Sequence, residues 1–176
     1  MLLLSTALAM PRVSVATDVS PWFLDGFSGL VMVEGERWRS SAEVWSFRFP
    51  SAVIELNAAN AELGWEREVD YALAFYIDRH LLERRRLHVG AAWNTMHSTV
   101  RREDAEASFW STELLVRVGW RWFPFPEAGL FIDPWVGAGP LYALSEPVVA
   151  GERFDELPVQ FLGTCHLGWR FGRPEA

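Results

Sequence analysis

The chain has 176 residues, half of them hydrophobic, with a formal net charge of -7 and one cysteine. The negative charge argues against nucleic-acid binding, which favours a basic surface, and a single cysteine excludes an internal disulfide framework or a cysteine-based zinc site. No stretch approaches the roughly 18 apolar residues of a membrane helix, yet 14% of the residues are aromatic and ten are tryptophan.

The first 24 residues are expected to precede the folded domain, which we place at residues 25–171, with a short tail at 172–176. Leu2 to Met10 is mostly apolar, and Ser14-Val15-Ala16 resembles the site at which a secretion signal is cleaved. No basic residue precedes the apolar part, and Pro11 and Arg12 interrupt it. Two alternatives stay open: a weak or truncated secretion signal, or an ordinary N-terminal segment.

Two strand candidates come next, Phe27–Glu34 and Trp38–Phe49, joined by a turn at Gly35. Residues 51–64 then break the two-residue period of a strand. There we expect one or two helical turns in a long loop, with Asn57 as the N-cap and Gly64 after the end.

The stretch Trp65–Asp78 alternates between apolar and polar positions, as a strand with two different faces does. Its apolar face is expected to carry Trp65, Val69, Tyr71, Leu73, Phe75 and Ile77, and its polar face Glu66, Glu68, Asp70, Ala72, Ala74, Tyr76 and Asp78. Leu87–Trp93 continues the alternation, and the charged stretch Arg101–Glu106 is expected to form a loop.

The clearest strand is Trp110–Phe123. Its even positions are apolar except for Thr112, with tryptophan at both ends, whereas its odd positions include Glu113, Arg117 and Arg121. Ten residues of a strand tilted by about 40° span roughly 25 Å, which is the height of the lipid-facing band of an outer-membrane barrel. Aromatic rings favour the two membrane interfaces. This strand therefore predicts lipid on one side and a polar lumen on the other.

Two further strands complete the chain, Leu130–Tyr142 and Val159–Phe171. Pro134 and Pro140 lie within the first of them, so we expect a bulge, a bend or a local loss of pairing there. Seven strand candidates result, and an antiparallel barrel needs an even number. The weak segment Val148–Phe154, inside the loop Ser145–Leu157, is the candidate for the eighth.

With these strands identified, the chain resembles the small outer-membrane β-barrel proteins of Gram-negative bacteria. The ending His166-Leu-Gly-Trp-Arg-Phe171 is similar to the C-terminal signal that barrel assembly machinery recognises, except that five residues follow the aromatic residue. The runs Gly119–Phe125 and Gly129–Gly139 are also similar to stretches in uncharacterised barrels of this group. The resemblance covers roughly residues 26–171. It implies an all-β, antiparallel up-and-down barrel of about eight strands, a monomer in contact with membrane lipid and the assembly machinery.

The charged side chains of the inward positions are the candidate site. A lumen of eight strands is just wide enough for side chains to fill, and an isolated buried charge is costly. We therefore expect ion pairs that fill the lumen, rather than a proton site, an ion site or a catalytic group. The predicted lumen cluster is Glu66, Glu68, Asp70, Glu113, Arg117, Arg121, His166 and Arg170, with Asp78, His88 and Asp133 also facing inward. The predicted interface aromatics are Trp65, Trp110, Trp120, Trp122, Trp169 and Phe171.

Three functions follow as hypotheses. The first is an outer-membrane barrel with a filled polar lumen, a structural or interaction role, and no cofactor. The second is a membrane-embedded enzyme that modifies lipid at the rim, for which His97-Ser98 invites comparison with barrel lipid hydrolases. Adjacent strand residues point to opposite faces, however, so these two cannot simply pair. The third is a soluble, lipocalin-like ligand-binding barrel. The four histidines are scattered along the chain, so we expect no metal site.

Overall fold

The computed structural model describes residues 11–81 and 86–172. The apolar stretch Leu2 to Met10 and the last four residues of the tail lie outside them. Within the described residues the protein is all-β, and none of its helices is long and apolar enough to cross a membrane. The strands are β1 Arg12–Asp18, β2 Phe27–Glu34, β3 Trp38–Arg48, β4 Glu66–His80, β5 Leu87–Arg102, β6 Ala105–Trp120, β7 Trp122–Phe125, β8 Leu130–Ala143, β9 Val148–Val149, β10 Glu152–Arg153 and β11 Val159–Arg170. The helices are α1 Val19–Phe23, α2 Ser51–Ile54 and a 3-10 turn at Pro126–Ala128.

Eight of these strands form a closed antiparallel ring, a β-barrel. The order is β1-β2-β3-β4-β5-β6-β8-β11, and β11 pairs with both β8 and β1. The paired residues can be followed from strand to strand around the ring, starting at Val13 on β1 and ending at Phe161 on β11. The residue of β11 that bonds directly to Val13 is Phe171. The ring therefore closes with a displacement of ten residues along the strand. For eight strands this displacement corresponds to a tilt of about 40°.

The two ends of the barrel differ in their loops. The end that we call upper carries the longer connections, residues 19–26, 49–65 and 144–158. The lower end carries the turn at 35–37, the connection at 121–129, the end of β4, the start of β5, the start of β1 and the end of β11. The chain therefore enters and leaves the barrel at the lower end.

The usual distribution of residues is inverted in this barrel. On β6, the outward Val116 is 68% exposed, whereas its neighbour Arg117 points into the lumen and is 2% exposed. The same alternation holds on the other long strands. Exposed outward side chains include Val31, Val33, Val44, Leu73, Phe75, Ile77, Leu114, Val118, Val136 and Leu167. Buried inward side chains include Glu34, Arg39, Asp78, His88, Glu113, Asp133 and His166.

Many exposed aromatic side chains lie near the two ends of the outer surface, and Phe75, Trp93 and Phe161 lie between them. The lower group is Trp38, Trp120, Trp122, Trp169 and Phe171, and the upper group is Tyr71, Trp110 and Tyr142. Along β6, Trp110 and Trp120 are separated by ten residues, which is roughly 25 Å along the barrel axis at the tilt derived above. Beyond the upper group the outer surface becomes charged, with ion pairs of Arg101 to Glu68 and Glu106.

The eighth strand is β1, and not the segment Val148–Phe154 that was expected to supply it. That segment forms only the small separate hairpin β9–β10. Strand β1 lies inside the stretch that we expected to precede the barrel, and Ser14-Val15-Ala16 pairs with β2 and β11. Cleavage after Ala16 would remove most of this strand.

Two connections also differ from the expectation. The charged stretch Arg101–Glu106 is not a loop, because β5 and β6 continue through it and leave only the turn at 103–104. Helix α2 begins at Ser51 rather than at Asn57, although Gly64 ends the turns after it with φ 68°. The expected loss of pairing at Pro140 is confirmed, since the β6–β8 ladder is interrupted between Glu113 and Val116.

A β-bulge at Asp70 reverses the faces of β4. Above the bulge, Trp65 and Arg67 are buried, whereas Glu66 is exposed and Glu68 half-exposed. The strict alternation expected from Trp65 to Asp78 was therefore wrong for its first residues, because one extra residue shifts every side chain beyond it to the other face. Trp65 instead belongs to an upper apolar core with Ile54, Val100, Phe109, Val149 and Phe154.

Candidate functional site

The lower half of the lumen is occupied by a network of buried ion pairs. Asp78 accepts hydrogen bonds from Arg39 Nε at 2.8 Å and from Arg117 Nε and Nη2 at 2.8 and 2.6 Å. Asp133 accepts from Arg39 Nη1 at 2.6 Å and from Arg121 Nη2 at 2.9 Å. These five side chains are at most 2% exposed. Three guanidinium groups thus share two carboxylates, and both carboxylates accept two of them.

A third carboxylate balances the charge of this network. Glu34 accepts a hydrogen bond from Arg121, and His88 Nδ1 lies 3.7 Å from Asp133 Oδ1. The guanidinium of Arg121 also stacks 4.2 Å from the centre of the Phe131 ring. Counting Glu34, three acids face three arginines, so the group is close to neutral. We call these six residues, Glu34, Arg39, Asp78, Arg117, Arg121 and Asp133, the lower ion-pair network.

A layer around Glu43 separates this network from the upper lumen. Glu43 Oε1 accepts from Ser28 Oγ at 2.6 Å, and Glu43 Oε2 accepts from the Tyr76 hydroxyl at 2.5 Å. The Arg117 guanidinium lies 4.0 Å from the centre of the Tyr76 ring and 5.1 Å from that of Trp135. Tyr76 therefore has the lower network on one side, while it and Trp135 line the cavity on the other.

Above this layer the lumen contains a cavity of about 290 Å³. Its lining is mostly apolar and aromatic, and comes from seven strands, α1 and the start of the 49–65 loop. The main apolar contributors are Leu24, Trp45, Phe47, Phe49, Met96, Trp135, Leu141 and Leu162. The volume is at the lower end of the range of ligand pockets, which begins at about 300 Å³.

The opening of the cavity lies beside the upper part of β11. Strand β1 pairs with β11 only from His166 onward, so α1 stands in place of a strand next to residues 159–165. Side chains from both faces of β11 line the cavity: Leu162 and Thr164 point inward, whereas Phe161 points outward and is 80% exposed. The cavity therefore reaches around the edge of this strand to the outer surface.

Few polar groups face the cavity, and two of them are close together. Asn94 Nδ2 donates to Glu113 Oε2 at 2.7 Å. The other oxygens of this pair, Asn94 Oδ1 and Glu113 Oε1, are buried and have no hydrogen-bond partner among the described residues. Arg67, near the top, donates to Glu156 Oε2 at 2.7 Å. Burial raises the pKa of Glu156, which lies in the loop before β11, and Arg67 opposes that shift.

Asp18, Glu43 and His166 are the group in the described residues that comes closest to a metal site, with potential ligand atoms within 4.8 Å of one another. However, His166 Nε2, which faces Glu43 at 3.9 Å, already accepts a hydrogen bond from Trp135 Nε1 at 3.2 Å. Both oxygens of Glu43 also accept hydrogen bonds. A metal ion would have to displace these bonds, so the arrangement does not fit one.

His97 lies on the outer surface in the upper aromatic group. Its Nδ1 is 2.8 Å from Asp70 Oδ2, and its ring stacks on Tyr71 with centroids 5.2 Å apart. Ser98 points to the opposite side and is fully buried, as the alternation of the strand requires. No hydroxyl group in residues 11–81 or 86–172 hydrogen-bonds to His97, so the pair needed for a nucleophilic serine is not formed.

The predicted lumen residues separate into two groups. Glu113, Arg117, Arg121, His166 and Arg170 are all buried on the inner face. Asp70 lies in the bulge and pairs with His97, while Glu68 bonds to Arg48 and Arg101 on the outside. Glu66 is exposed. These three acids are therefore not part of a lumen cluster, because the bulge turns them away from it.

The aromatic residues divide similarly. Trp110, Trp120, Trp122, Trp169 and Phe171 are exposed on the outer surface, between 40% and 51%. Trp65 is the exception, since it is 3% exposed and packs edge-on against Phe154.

Two lumen residues of the candidate site on β3 were not predicted from the sequence. Arg39 and Glu43 lie on β3, where outward Ser40 and Ala42 hide the alternation of the two faces. The spacing of Arg39 and Glu43 by four residues, both even steps from Trp45, is the signal that could have placed them on one face.

No family model, curated protein or solved structure matches the chain.

Proposed function

We propose that the protein is a bacterial outer-membrane β-barrel that binds a small, largely apolar molecule in the upper half of its lumen and does not conduct ions. The inverted distribution of residues carries this proposal: apolar side chains cover the outside of the barrel, and ion pairs fill its inside. The likeness to small outer-membrane barrels supports it.

The outer surface favours lipid as the surrounding medium. Contiguous apolar patches beyond a few hundred Å² are rare on soluble monomers, whereas here exposed valine, leucine, isoleucine and aromatic side chains recur on all eight strands of the ring. Trp93 lies between the two aromatic groups, and its indole N–H donates to Thr112 Oγ1 at 2.8 Å. Thr112 in turn donates to a backbone carbonyl. Such internal satisfaction is what a hydrocarbon environment demands of polar groups.

The lumen argues against the soluble lipocalin-like alternative. In that class the apolar faces of the strands would point inward and the charges outward. Here Arg39 and Asp133 are fully buried, and charges are taken out of water only where they pair.

The lower ion-pair network supports the absence of conduction. Its side chains cross the lumen from β2, β3, β4, β6, β8 and the residue after β6. An eight-stranded barrel leaves little space beyond its own side chains. We expect ions to have no continuous aqueous path.

The cavity supports a binding role above this network. Clefts lined by aromatic and aliphatic side chains with few polar groups are typical of small-molecule sites. Its opening beside β11 lies near Phe161, between the levels of the two aromatic groups, so a ligand could enter from the lipid side. The remaining partners we propose are membrane lipid and the barrel assembly machinery, the latter through the end of β11, with the protein acting as a monomer.

The location is tested by expression in a Gram-negative host and fractionation of its membranes. We expect the protein in the outer membrane, with gel mobility that changes on heating. A monodisperse protein in the aqueous fraction without detergent would refute the location. In planar bilayers the purified protein should give no steady conductance.

The binding role is tested with benzyl alcohol, a small uncharged aromatic probe, on protein in lipid nanodiscs, with empty nanodiscs as the background. We expect saturable binding that Leu162→Trp abolishes by filling the cavity. Leu114→Trp, on the outer surface, is the matched control and should keep it. Equal binding to the wild type and to Leu162→Trp would refute the role assigned to the cavity.

A second candidate is a lipid-modifying enzyme at the rim, which the hydrogen bond between His97 and Asp70 favours. Hydrolysis of outer-membrane lipid that is lost in His97→Ala would support it. Absence of hydrolysis on lipids with ester-linked and amide-linked acyl chains would reject it.

A further inference from the structure

The polar pair in the cavity wall has unused capacity to accept hydrogen bonds. Glu113 is 1% exposed and Asn94 is 3% exposed, and both line the cavity. The bond from Asn94 Nδ2 to Glu113 Oε2 fixes the amide so that its oxygen is the unpartnered atom. Glu113 Oε1 is also unpartnered. Two unpartnered acceptors therefore belong to neighbouring residues of the cavity wall, and buried polar groups of this kind normally have partners.

The charged side chains that line the cavity carry a net negative charge. Among the described residues that line it, the charged side chains are Asp18, Glu113 and Arg67. Arg67 bonds to Glu156 at 2.7 Å. Glu113 has no cation within 4.0 Å in residues 11–81 or 86–172, and the arginines of the lower network are held by their own carboxylates. A buried carboxylate without a cation is costly, so a positively charged ligand group would find a favourable place here.

The rest of the cavity excludes most charged molecules as ligands. Most of the remaining lining is aromatic and aliphatic, including Trp45, Phe47 and Met96. An inorganic cation would find only two buried, unpartnered side-chain acceptors among the described lining residues, Asn94 Oδ1 and Glu113 Oε1. A molecule with one donor-bearing cationic end and an apolar body matches both parts of the lining.

We propose that the ligand of this cavity is a small organic amine, whose protonated nitrogen donates hydrogen bonds to Glu113 Oε1 and Asn94 Oδ1 and whose apolar part packs against the aromatic wall. The inference rests on the proposed binding role and adds the chemical class of the ligand. Hydrogen bonds that involve a charged group are stronger than neutral ones, so the charge of the ligand should dominate selectivity.

Three probes with the same benzyl or phenyl group separate the charge from the shape: benzylammonium, benzyl alcohol and benzoate. Their dissociation constants would be measured by titration of the whole protein in nanodiscs of zwitterionic lipid, with empty nanodiscs subtracted. We expect benzylammonium to bind at least about tenfold more tightly than benzyl alcohol, the difference that charge-assisted hydrogen bonds supply. Benzoate should bind most weakly, because Glu113 and Asp18 repel it.

The decisive variant is Glu113→Gln, which keeps the size of the side chain and removes its charge. It should weaken benzylammonium binding by about tenfold and change the binding of the uncharged benzyl alcohol by a smaller factor. Unchanged heat-dependent gel mobility would verify that the variant folds. Glu106→Gln is the matched control, since it removes an exposed carboxylate from the same strand and should change neither constant.

The outcomes distinguish this inference from the function on which it rests. If benzyl alcohol binds as tightly as benzylammonium, or if Glu113→Gln weakens the binding of neither probe, the ligand is not an amine, whereas the binding role of the cavity stands. Tighter binding of benzoate would also overturn the amine and would indicate Arg67 as the anchor. If none of the three probes binds, both proposals fail.

Discussion

Asp78→Asn should strongly destabilise the barrel. Asp78 is fully buried and accepts hydrogen bonds from Arg39 and from both Nε and Nη2 of Arg117. Asparagine has the same shape, so no cavity forms. Its loss of charge, however, leaves three buried arginines against two carboxylates, and its amide N–H₂ would face a guanidinium. Removal of one partner from a buried pair costs about 3–5 kcal/mol, which is a large part of the stability of a small domain.

The assay is reversible urea unfolding in lipid vesicles, with heat-dependent gel mobility as an independent measure. Glu106→Gln is the control, because its ion pair with Arg101 is solvent-exposed and should contribute at most about 1 kcal/mol. Arg117→Gln should recover part of the loss when combined with Asp78→Asn, since the excess charge disappears. A cost below about 1 kcal/mol for Asp78→Asn alone would refute the charge balance of the lower network.

The other predictions concern the outer surface and one glycine. Val116→Arg places a charge midway between the aromatic groups and should lower the free energy of unfolding in vesicles by about 2–4 kcal/mol. Ala105→Arg, on the same strand beyond the upper group, should lower it little. Equal decreases for the two variants would contradict a lipid-facing surface. Gly139→Ala should destabilise the barrel by about 1–3 kcal/mol, because the added Cβ would overlap the carbonyl oxygen of Leu114. Gly163→Ala should be tolerated in the same assay, since its nearest new contact is a valine methyl group at 3.2 Å. Equal stability of the two glycine variants would contradict the close approach of the β6 and β8 backbones at Gly139.

The fold class could be predicted from the sequence because β6 and β11 have strict periods of two. A single long strand with Val116 beside Arg117 already predicts two different faces of the sheet, and its length sets the height of the apolar outer surface. The register among strands was beyond such reasoning, because it depends on partners far away in the chain.

Bulges and short strands account for most of the errors. The bulge at Asp70 inserts one residue, so every side chain before it changes face, and the composition of β4 contains no signal for it. Strand β1 has only seven residues, with serine and alanine on its inner face, so it resembled a processing site rather than a barrel strand. Closure of the ring, and not local propensity, makes it a strand.

The ion pairs of the lumen were partly predictable, whereas the cavity was not. Arg117 lies on a regular strand and Arg121 directly follows that strand, so their direction follows from alternation. The cavity arises from the relative heights of Trp45, Met96 and Leu141 on three different strands. Those heights are set by the ten-residue displacement around the ring, which no local pattern encodes.

The seam between β1 and β11 has a consequence for how the barrel folds. It joins five residue pairs that are about 150 positions apart in the chain, whereas β5 and β6 form a long hairpin around a two-residue turn. Contacts between distant residues form late, because the loop that they close must first lose its entropy. The central hairpins should therefore assemble early and the seam last. A labelled pair across β1 and β11 would then report the final step of folding, and the same short seam should be the first to open under denaturant.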